Sequence, residues 1–226
     1  NNDSDIMAKD IKFYKNKSSF RIVSKIYDDF NLEIECPGLH NVYNALAATT
    51  LSLDMNISIN NIKKSLKKYS GVKRRFEIRY ENTKNNIMII DDYAHHPVEI
   101  KYTIDAIKSG WNNRLISIYE PHLYSRTVEF KKETAEALQL SDKIIITDIF
   151  GSREKPIENI TSKIIINELN SLGHKNHILI ENKNKIADYL KNELNKNDII
   201  LVMGAGKINS IIYDVIKVLK DKYEKN

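Results

Sequence analysis

The spacing of apolar and polar residues changes character along the chain. Up to about residue 35 it follows a two-residue period: Ile11 to Tyr14, Phe20 to Ile26 and Phe30 to Glu35 are apolar or alternating runs, with a turn at Asp28-Asp29 between the last two. Period two over short β-branched and aromatic stretches predicts antiparallel strands. Strands of this kind need a larger sheet to pair with, and the chain opens at Asn1 without an initiator methionine, so further protein is expected ahead of it. The period then lengthens. One helix is predicted from about Asn41 to Leu53, apolar over much of its circumference, and a second is capped by Ser58 and carries a stripe of Ile59, Ile62, Leu66 and Tyr69. Ser70-Gly71 ends it.

Beyond Gly71, apolar strands alternate with helical segments. The strands are Phe76 to Tyr80, Ile87 to Ile90, Leu115 to Tyr119, Ile144 to Thr147, His177 to Ile180 and Ile199 to Met203. This alternation predicts an α/β fold, a Rossmann-like, mostly parallel, doubly wound sheet. The link between Tyr80 and Ile87 is too short for a crossover helix, so these strands should form a hairpin and place one antiparallel strand in the sheet. A helix is predicted from Pro97 through Ile100, Ile104 and Ile107 to Gly110, with Glu99 complementing its dipole. A closing helix carries Ile208, Ile211, Ile212, Val215 and Leu219 on one stripe. The change of pattern sets a boundary near Lys73, giving units 1–73 and 74–226.

Bulk properties narrow the class without naming a function. A chain of 226 residues with 42% hydrophobic content can bury a sizeable core. The single Cys36 rules out an intramolecular disulfide framework and fits a reducing compartment, so a cytoplasmic protein is expected. No apolar run approaches the roughly 18 residues of a membrane span, and the opening Asn1 to Asp5 lacks a basic then apolar signal region. The net charge of +5 is carried by lysines interleaved with acids, as at Glu129, Lys131, Lys132 and Glu133. That pattern solvates helix faces and argues against nucleic acid, with a mild preference for small anionic ligands.

Chemistry is concentrated where strands give way to helices, the edge at which open α/β sheets bind ligands. The richest junction is Asp91-Asp92-Tyr93-Ala94-His95-His96-Pro97. A carboxylate there can accept hydroxyl groups from a ribose or cap the following helix, and the cap reading suits Asp91 at least as well as Asp92. Adjacent histidines point in different directions and no third ligand is close in sequence, so His95-His96 is not read as a metal site. Asn41 and Asn44 share a helix face, where amides can both donate to and accept from a base edge; the alternative is helix capping by Asn41. Arg126, read as a loop residue at the sheet edge, can clamp an anion through its planar fork. Ser125 is not read as a nucleophile. Met203-Gly204-Ala205-Gly206 follows a strand and precedes a helix, but lacks the full G-x-G-x-x-G and makes a weak phosphate cradle.

Five of these stretches in order resemble the Mur ligase family: Gly38 to Ala48 (GLHNVYNALAA), Gly71 to Phe76 (GVKRRF), Asp91 to Pro97 (DDYAHHP), Pro121 to Thr127 (PHLYSRT) and Met203 to Gly206 (MGAG). Asp148 to Pro156 resembles a further family loop, with a structural role for Arg153 and Glu154. The resemblance covers Gly38 to Gly206 and identifies the chain as the carboxyl-terminal half of such a ligase, the end of the central ATPase domain followed by a complete last domain. It implies an ATP-dependent amide-forming ligase: the carboxylate of UDP-N-acetylmuramate is phosphorylated to an acyl phosphate, and the L-alanine amine displaces phosphate. Within that resemblance His40, Asn41, Asn44, Arg75, Asp92 and His95 approach ATP, and Tyr93, His96, His122 and Arg126 face the muramyl substrate. Lys73 and Arg74 are read as solvated. No catalytic residue is assigned. The phosphate loop G-x-x-x-x-G-K-[ST] is absent from these residues, so the main ligands of ATP and Mg²⁺ are expected on an amino-terminal half outside this chain. The chain departs from the family pattern at Glu120 (Gln), Leu123 (Arg), Gly151 (Pro) and Lys207 (Asp). A close alternative is the ligase of the same family that attaches recycled peptide to the same muramate, and the replacements Leu123 and Lys207 keep open a non-catalytic nucleotide-binding or interaction domain.

Overall fold

The structure, a computed structural model, describes residues 4–224; Asn1 to Asp3, part of the opening stretch read above for a signal region, lie outside the described residues. It contains two compact units, residues 1–72 with 105–112, and residues 73–104 with 113–226.

In the first unit, β1 (Ile6–Tyr14), β2 (Lys17–Ser24) and β3 (Phe30–Ile34) form a three-stranded antiparallel sheet in the order β1-β2-β3. Two helices follow, α1 (Leu39–Asp54) and α2 (Ile59–Lys68). Alternation sends Phe20 and Ile22 of β2 and Phe30, Leu32 and Ile34 of β3 into one buried cluster with Val42, Ala45 and Leu53 of α1 and Ile62 of α2. The apolar face of these strands is covered by two helices, the ordinary way for a sheet to bury one side. Ser58 caps α2 as its sequence suggests, accepting the Asn61 N–H at 3.4 Å.

The second unit contains β4 (Glu77–Asn82), β5 (Ile87–Asp92), β6 (Arg114–Tyr119), β7 (Lys143–Ile146), β8 (His177–Leu179) and β9 (Asp198–Met203). They form one sheet in the order β4-β5-β9-β6-β7-β8. β4 and β5 pair antiparallel as the short connection predicts, and all the other pairs are parallel. Between the strands run α3 (Pro97–Gly110), α4 (Tyr124–Glu129), α5 (Lys131–Leu138), α6 (Lys163–Ser171), α7 (Ile186–Glu193) and the closing α8 (Ile211–Tyr223).

Sheet alternation builds the core. Ile87, Ile89, Ile116, Ile118, Ile145, Ile200 and Val202 join Leu190 of α7 and Ile212, Val215 and Leu219 of α8 in a single cluster. The intervening Ile90, Leu115, Ile144 and Leu201, all fully buried, point to the opposite face. Right-handed crossovers place on that face the helices that connect β5 to β6, β6 to β7 and β7 to β8. Only the return from β8 to β9 runs the other way. β9 thereby lands between β5 and β6, and the chain direction reverses there. This is the topological switch point at which sheets of this class present residues to ligands.

Candidate functional site

Three neighbouring strand ends meet at the switch point. Asp91 and Asp92 end β5, Gly204 follows β9 and Glu120 follows β6. The Gly204 N–H donates to the Asp92 carbonyl at 3.2 Å, and the Glu120 N–H donates to the Met203 carbonyl at 3.0 Å.

The two aspartates separate by role. Asp92 is 4% exposed. Its Oδ1 accepts the Ala94 N–H at 2.8 Å, and its Oδ2 accepts the Phe76 N–H at 2.9 Å and the Thr103 hydroxyl at 3.1 Å. Burial raises its pKa against the pull of those donors. A carboxylate offers about four lone-pair sites, so the three filled here leave one. Asp91 has no exposed surface and faces two guanidiniums, with Arg79 Nη1 at 3.2 Å from Oδ2 and Arg74 Nε at 3.6 Å from Oδ1. Its pKa is also raised by burial, opposed first by Arg74. Asp91 is not the helix cap that its sequence position allows. That task falls to Glu99, whose Oε2 accepts the N–H groups of His95 at 3.1 Å and His96 at 3.2 Å, while the His96 ring accepts the Val98 N–H at 3.3 Å. This is a capping box with a histidine in the cap position.

Arg74 and Arg75 are adjacent in sequence and opposite in environment. The Arg75 side chain is 48% exposed and its Nη1 lies 3.2 Å from Glu99 Oε1. Arg74, expected to be solvated, is instead drawn inward, and its Nη2 donates to the carbonyls of Gly204 at 2.6 Å and Gly206 at 3.2 Å. Buried Asp91 and two inward carbonyls supply the acceptors that make this favourable. Both guanidiniums lie over the Tyr93 ring, at 4.9 Å for Arg74 and 5.4 Å for Arg75.

From Tyr93 a row of rings continues along the edge. Tyr93 meets His95 edge-on at 5.3 Å, His95 meets His122 edge-on at 5.2 Å, and His122 stacks on Phe150 at 5.8 Å. His95 Nδ1 lies 2.9 Å from the Tyr93 carbonyl, while the His122 Nδ1 has no hydrogen-bond partner among the described residues. Burial, then His95 and Arg126, hold the His122 pKa below its ordinary value, so the ring is neutral at pH 7. His96 turns away and packs against Phe130 at 4.9 Å. Backbone pairing fixes this row, because Phe150 donates to the Pro121 carbonyl at 2.8 Å and Leu123 donates to the Phe150 carbonyl at 3.0 Å.

Arg126 corrects a second expectation. It sits within the short helix α4 and not in a loop. Its carbonyl accepts the Phe130 N–H at 2.9 Å, and its guanidinium pairs with no carboxylate among the described residues. Its charge is close enough to the buried Tyr119 to oppose the upward push of burial on that hydroxyl. Ser125 donates its hydroxyl and its N–H to Glu154, in keeping with a structural role for both residues.

The glycine loop after β9 is filled from within. A Cβ on Gly206 would lie 2.2 Å from Glu120 Oε2 and 2.7 Å from the Phe150 ring, and one on Gly204 would lie 3.0 Å from the Glu120 Cβ. Glu120 is itself 6% exposed; burial raises its pKa, opposed by Lys183 at 3.9 Å and by the N–H groups of Ile208 and Gly206. The close approach that these glycines allow is therefore made by Glu120 and Phe150, and the carbonyls are taken by Arg74. Lys207 is exposed and its carbonyl accepts from Lys183 at 2.9 Å.

The remaining sequence candidates lie in the first unit. His40, Asn41 and Asn44 open α1 behind Gly38, whose φ of 91° suits glycine and which is the residue at the cap position. Asn41 does not cap the helix; its amide donates to the Pro37 carbonyl at 2.7 Å. Asn41 and Asn44 share a cavity of about 240 Å³ with Ile34, Cys36, Ala48 and Tyr69. Ligand pockets usually span about 300 to 1,000 Å³, so this one suits a single flat ring system.

Residues 74–206 match the Mur ligase, glutamate ligase domain. The chain belongs to the Mur ligase family. Residues 1–52 match the Mur ligase middle domain. Among curated relatives, the UDP-N-acetylmuramate--L-alanine ligase of Acetivibrio thermocellus is 39% identical over 220 residues, covering 95% of this chain and 45% of its own length. The enzyme of the same name from Sulfurihydrogenibium sp. is 35% identical over 221 residues, covering 97% of this chain and 47% of its own. The crystal structure of the UDP-N-acetylmuramate-alanine ligase of Thermotoga maritima superposes with a TM-score of 0.81 at 26% identity, over 98% of this chain and 46% of that one. The present Mur ligase chain thus spans about half the length of the curated relatives it matches.

The structure brings Arg75, Asp92, Tyr93, His95, His96, His122 and Arg126 to one sheet edge, and His40, Asn41 and Asn44 to one helix start. Sequence reasoning missed the inward role of Arg74 and the capping role of Glu99. The second had a signal, an acid three residues after the first non-helical position. The first had none, since two adjacent arginines look alike until the start of β4 is fixed.

Proposed function

We propose that this chain is the carboxyl-terminal half of an ATP-dependent ligase that joins L-alanine to UDP-N-acetylmuramate through an acyl phosphate, in peptidoglycan precursor synthesis in the cytoplasm. The observation that carries the reading is the 35–39% identity to ligases of that name over nearly the whole chain. No helix among the described residues is long and apolar enough to cross a membrane.

The chain's own residues fit the parts such a reaction needs. The cavity at Asn41 and Asn44 has an apolar lining with two amides, the chemistry that holds an adenine edge. Asp92 keeps one acceptor site for a ribose hydroxyl. Arg75, exposed and braced by Glu99, offers a guanidinium to a phosphate. ATP supplies the activation that a carboxylate, a poor electrophile, lacks. Neutral His122 and the uncompensated charge of Arg126 suit binding of the muramyl substrate: the neutral ring offers one hydrogen-bond donor and one acceptor, and the fork can hold an anion in fixed geometry. His95 and His96 orient the turn through Glu99. The chief Mg²⁺ and phosphate ligands belong to the amino-terminal half of the ligase, the expected partner.

The test is complementation. The amino-terminal half of the Acetivibrio thermocellus ligase is mixed with this chain, ATP, Mg²⁺, UDP-N-acetylmuramate and L-alanine, and phosphate release is followed. Alanine-dependent release only when both halves are present is the expected result. Release from neither the mixture nor a single-chain fusion of the halves would sink the reading in favour of a non-catalytic domain.

A further inference from the structure

We infer that Arg74 is a positioning residue that fixes Tyr93 and turns Arg75 outward. The inference rests on the reading above only in what Tyr93 and Arg75 are positioned for; the coupling itself is a property of this chain.

Arg74 touches all three pieces of backbone that meet at the site. It precedes β4, its carbonyl accepts the Tyr93 N–H at 2.6 Å, and its N–H donates to Glu77 Oε2 at 2.8 Å. The side chain then lies against the Tyr93 ring and reaches the Gly204 and Gly206 carbonyls, with Nε toward Asp91. Its φ is +57°, a conformation that L side chains other than Asn and Asp adopt seldom and that surroundings must hold in place. The next residue inherits the consequence: with Arg74 committed inward, Arg75 lies 5.4 Å from the Tyr93 ring centroid and reaches Glu99. Two guanidiniums against one ring hold it by cation–π attraction. Arg79 shares the pairing with Asp91 but touches neither Tyr93 nor the glycine loop, and instead reaches Tyr213 at 3.1 Å. It is the natural control for loss of charge at Asp91.

The experiment uses this chain with Arg74→Gly, Arg74→Lys and Arg79→Ala. Glycine accepts positive φ, so Arg74→Gly deletes the side chain without adding backbone strain. NMR of the Tyr93 ring and hydrogen exchange of the Tyr93 N–H are the readouts. In Arg74→Gly the ring resonances should move and the amide should exchange about tenfold faster or more, the change expected for loss of one anchored contact. Arg74→Lys should fall between wild type and Arg74→Gly, since a point charge reaches one carbonyl but cannot fork. Arg79→Ala should leave the Tyr93 signals in place. Unmoved Tyr93 signals in Arg74→Gly, equal movement in Arg79→Ala, or global unfolding of both Arg74 variants would each overturn the inference. In a complementing mixture that turns over, Arg74→Lys should raise the KM for UDP-N-acetylmuramate more than it lowers kcat. Absence of turnover in the wild type counts against the ligase reading alone, because the Tyr93 signature is measured in this chain by itself.

Discussion

Arg114 clasps Asp198 through two parallel hydrogen bonds, Nε to Oδ1 and Nη2 to Oδ2, both 2.8 Å. The pair joins the first residues of β6 and β9, at the edge of the sheet opposite the candidate site, and Asp198 is fully buried. Removing one partner strands a buried charge. Arg114→Ala should therefore lower stability by about 2 to 4 kcal/mol, below the top of the range for buried pairs because a third of the Arg114 side chain is exposed. Arg114→Lys should recover part of it, without the bidentate fork. Urea unfolding of the three proteins checks this, and equal midpoints would show the pair to be neutral.

Gly206→Ala should destabilise the second unit by about 1 to 3 kcal/mol, because the added Cβ overlaps the Glu120 carboxylate and the Phe150 ring. Glu120→Ala empties one side of that space. The double variant should then lose less than the two single variants together, a coupling that thermal melting can resolve. Strict additivity would mean that the loop moves as a whole and the packing seen at Gly206 is not limiting.

The pH dependence of Glu99 has a defined sign. Burial pushes its pKa up, but the N–H donors of His95 and His96, the His95 ring and Arg75 prevail, and the folded-state pKa lies below the ordinary value of 4.5. A depressed carboxylate contributes stability that is present above its unfolded pKa and is lost as pH falls through the folded one. The stability difference between wild type and Glu99→Gln should be constant near neutrality and shrink below about pH 4.5. Asp91, Asp92 and Glu120, with raised pKa values, act in the opposite sense, so the difference between variants is the quantity to measure. A difference that grows in acid would contradict the assignment.

How far these features were legible in sequence depends on whether their cause is local. The hairpin β4-β5, the Ser58 cap and the helix Pro97–Gly110 follow from turn length, a capping hydroxyl and a proline, all encoded within a few residues. The covering of the first unit's sheet by α1 and α2 was not legible, because alternation states that a face is apolar but not whether a strand or a helix covers it. At the site, the motif positions of Tyr93 and His122 were visible, but the fates of Arg74 and Asp91 were not. Their pairing joins residues 17 apart and closes only when β5, β9 and the start of β4 lie side by side. The helical placement of Arg126 was hidden for another reason. Leu123 adopts φ +66° to start α4, and nothing in its side chain signals that turn.

Arg126 yields the most direct functional prediction. It is half-buried in α4, its guanidinium pairs with no carboxylate among the described residues, and with Leu123 beside it no second guanidinium stands in the Pro121 to Thr127 stretch. An arginine held near a neutral histidine and a buried tyrosine, with its charge uncompensated, is poised for an external anion. Its loss should leave the fold intact, since no internal ion pair breaks, and should weaken the step that uses the anion. A charge-assisted hydrogen bond contributes roughly 1.5 to 3 kcal/mol, so in a complementing ligase Arg126→Ala should lower kcat/KM for UDP-N-acetylmuramate by about ten- to a hundredfold. Arg126→Lys should restore only part, because a point charge cannot reproduce the planar fork. His122 offers an internal check: removing the Arg126 cation relieves one of the forces that depress its pKa, so the His122 titration followed by NMR should move upward in Arg126→Ala. Unchanged kinetics in both variants, or a melting loss as large as the activity loss, would make Arg126 a solvated or structural residue and return the anion site to other side chains of the edge.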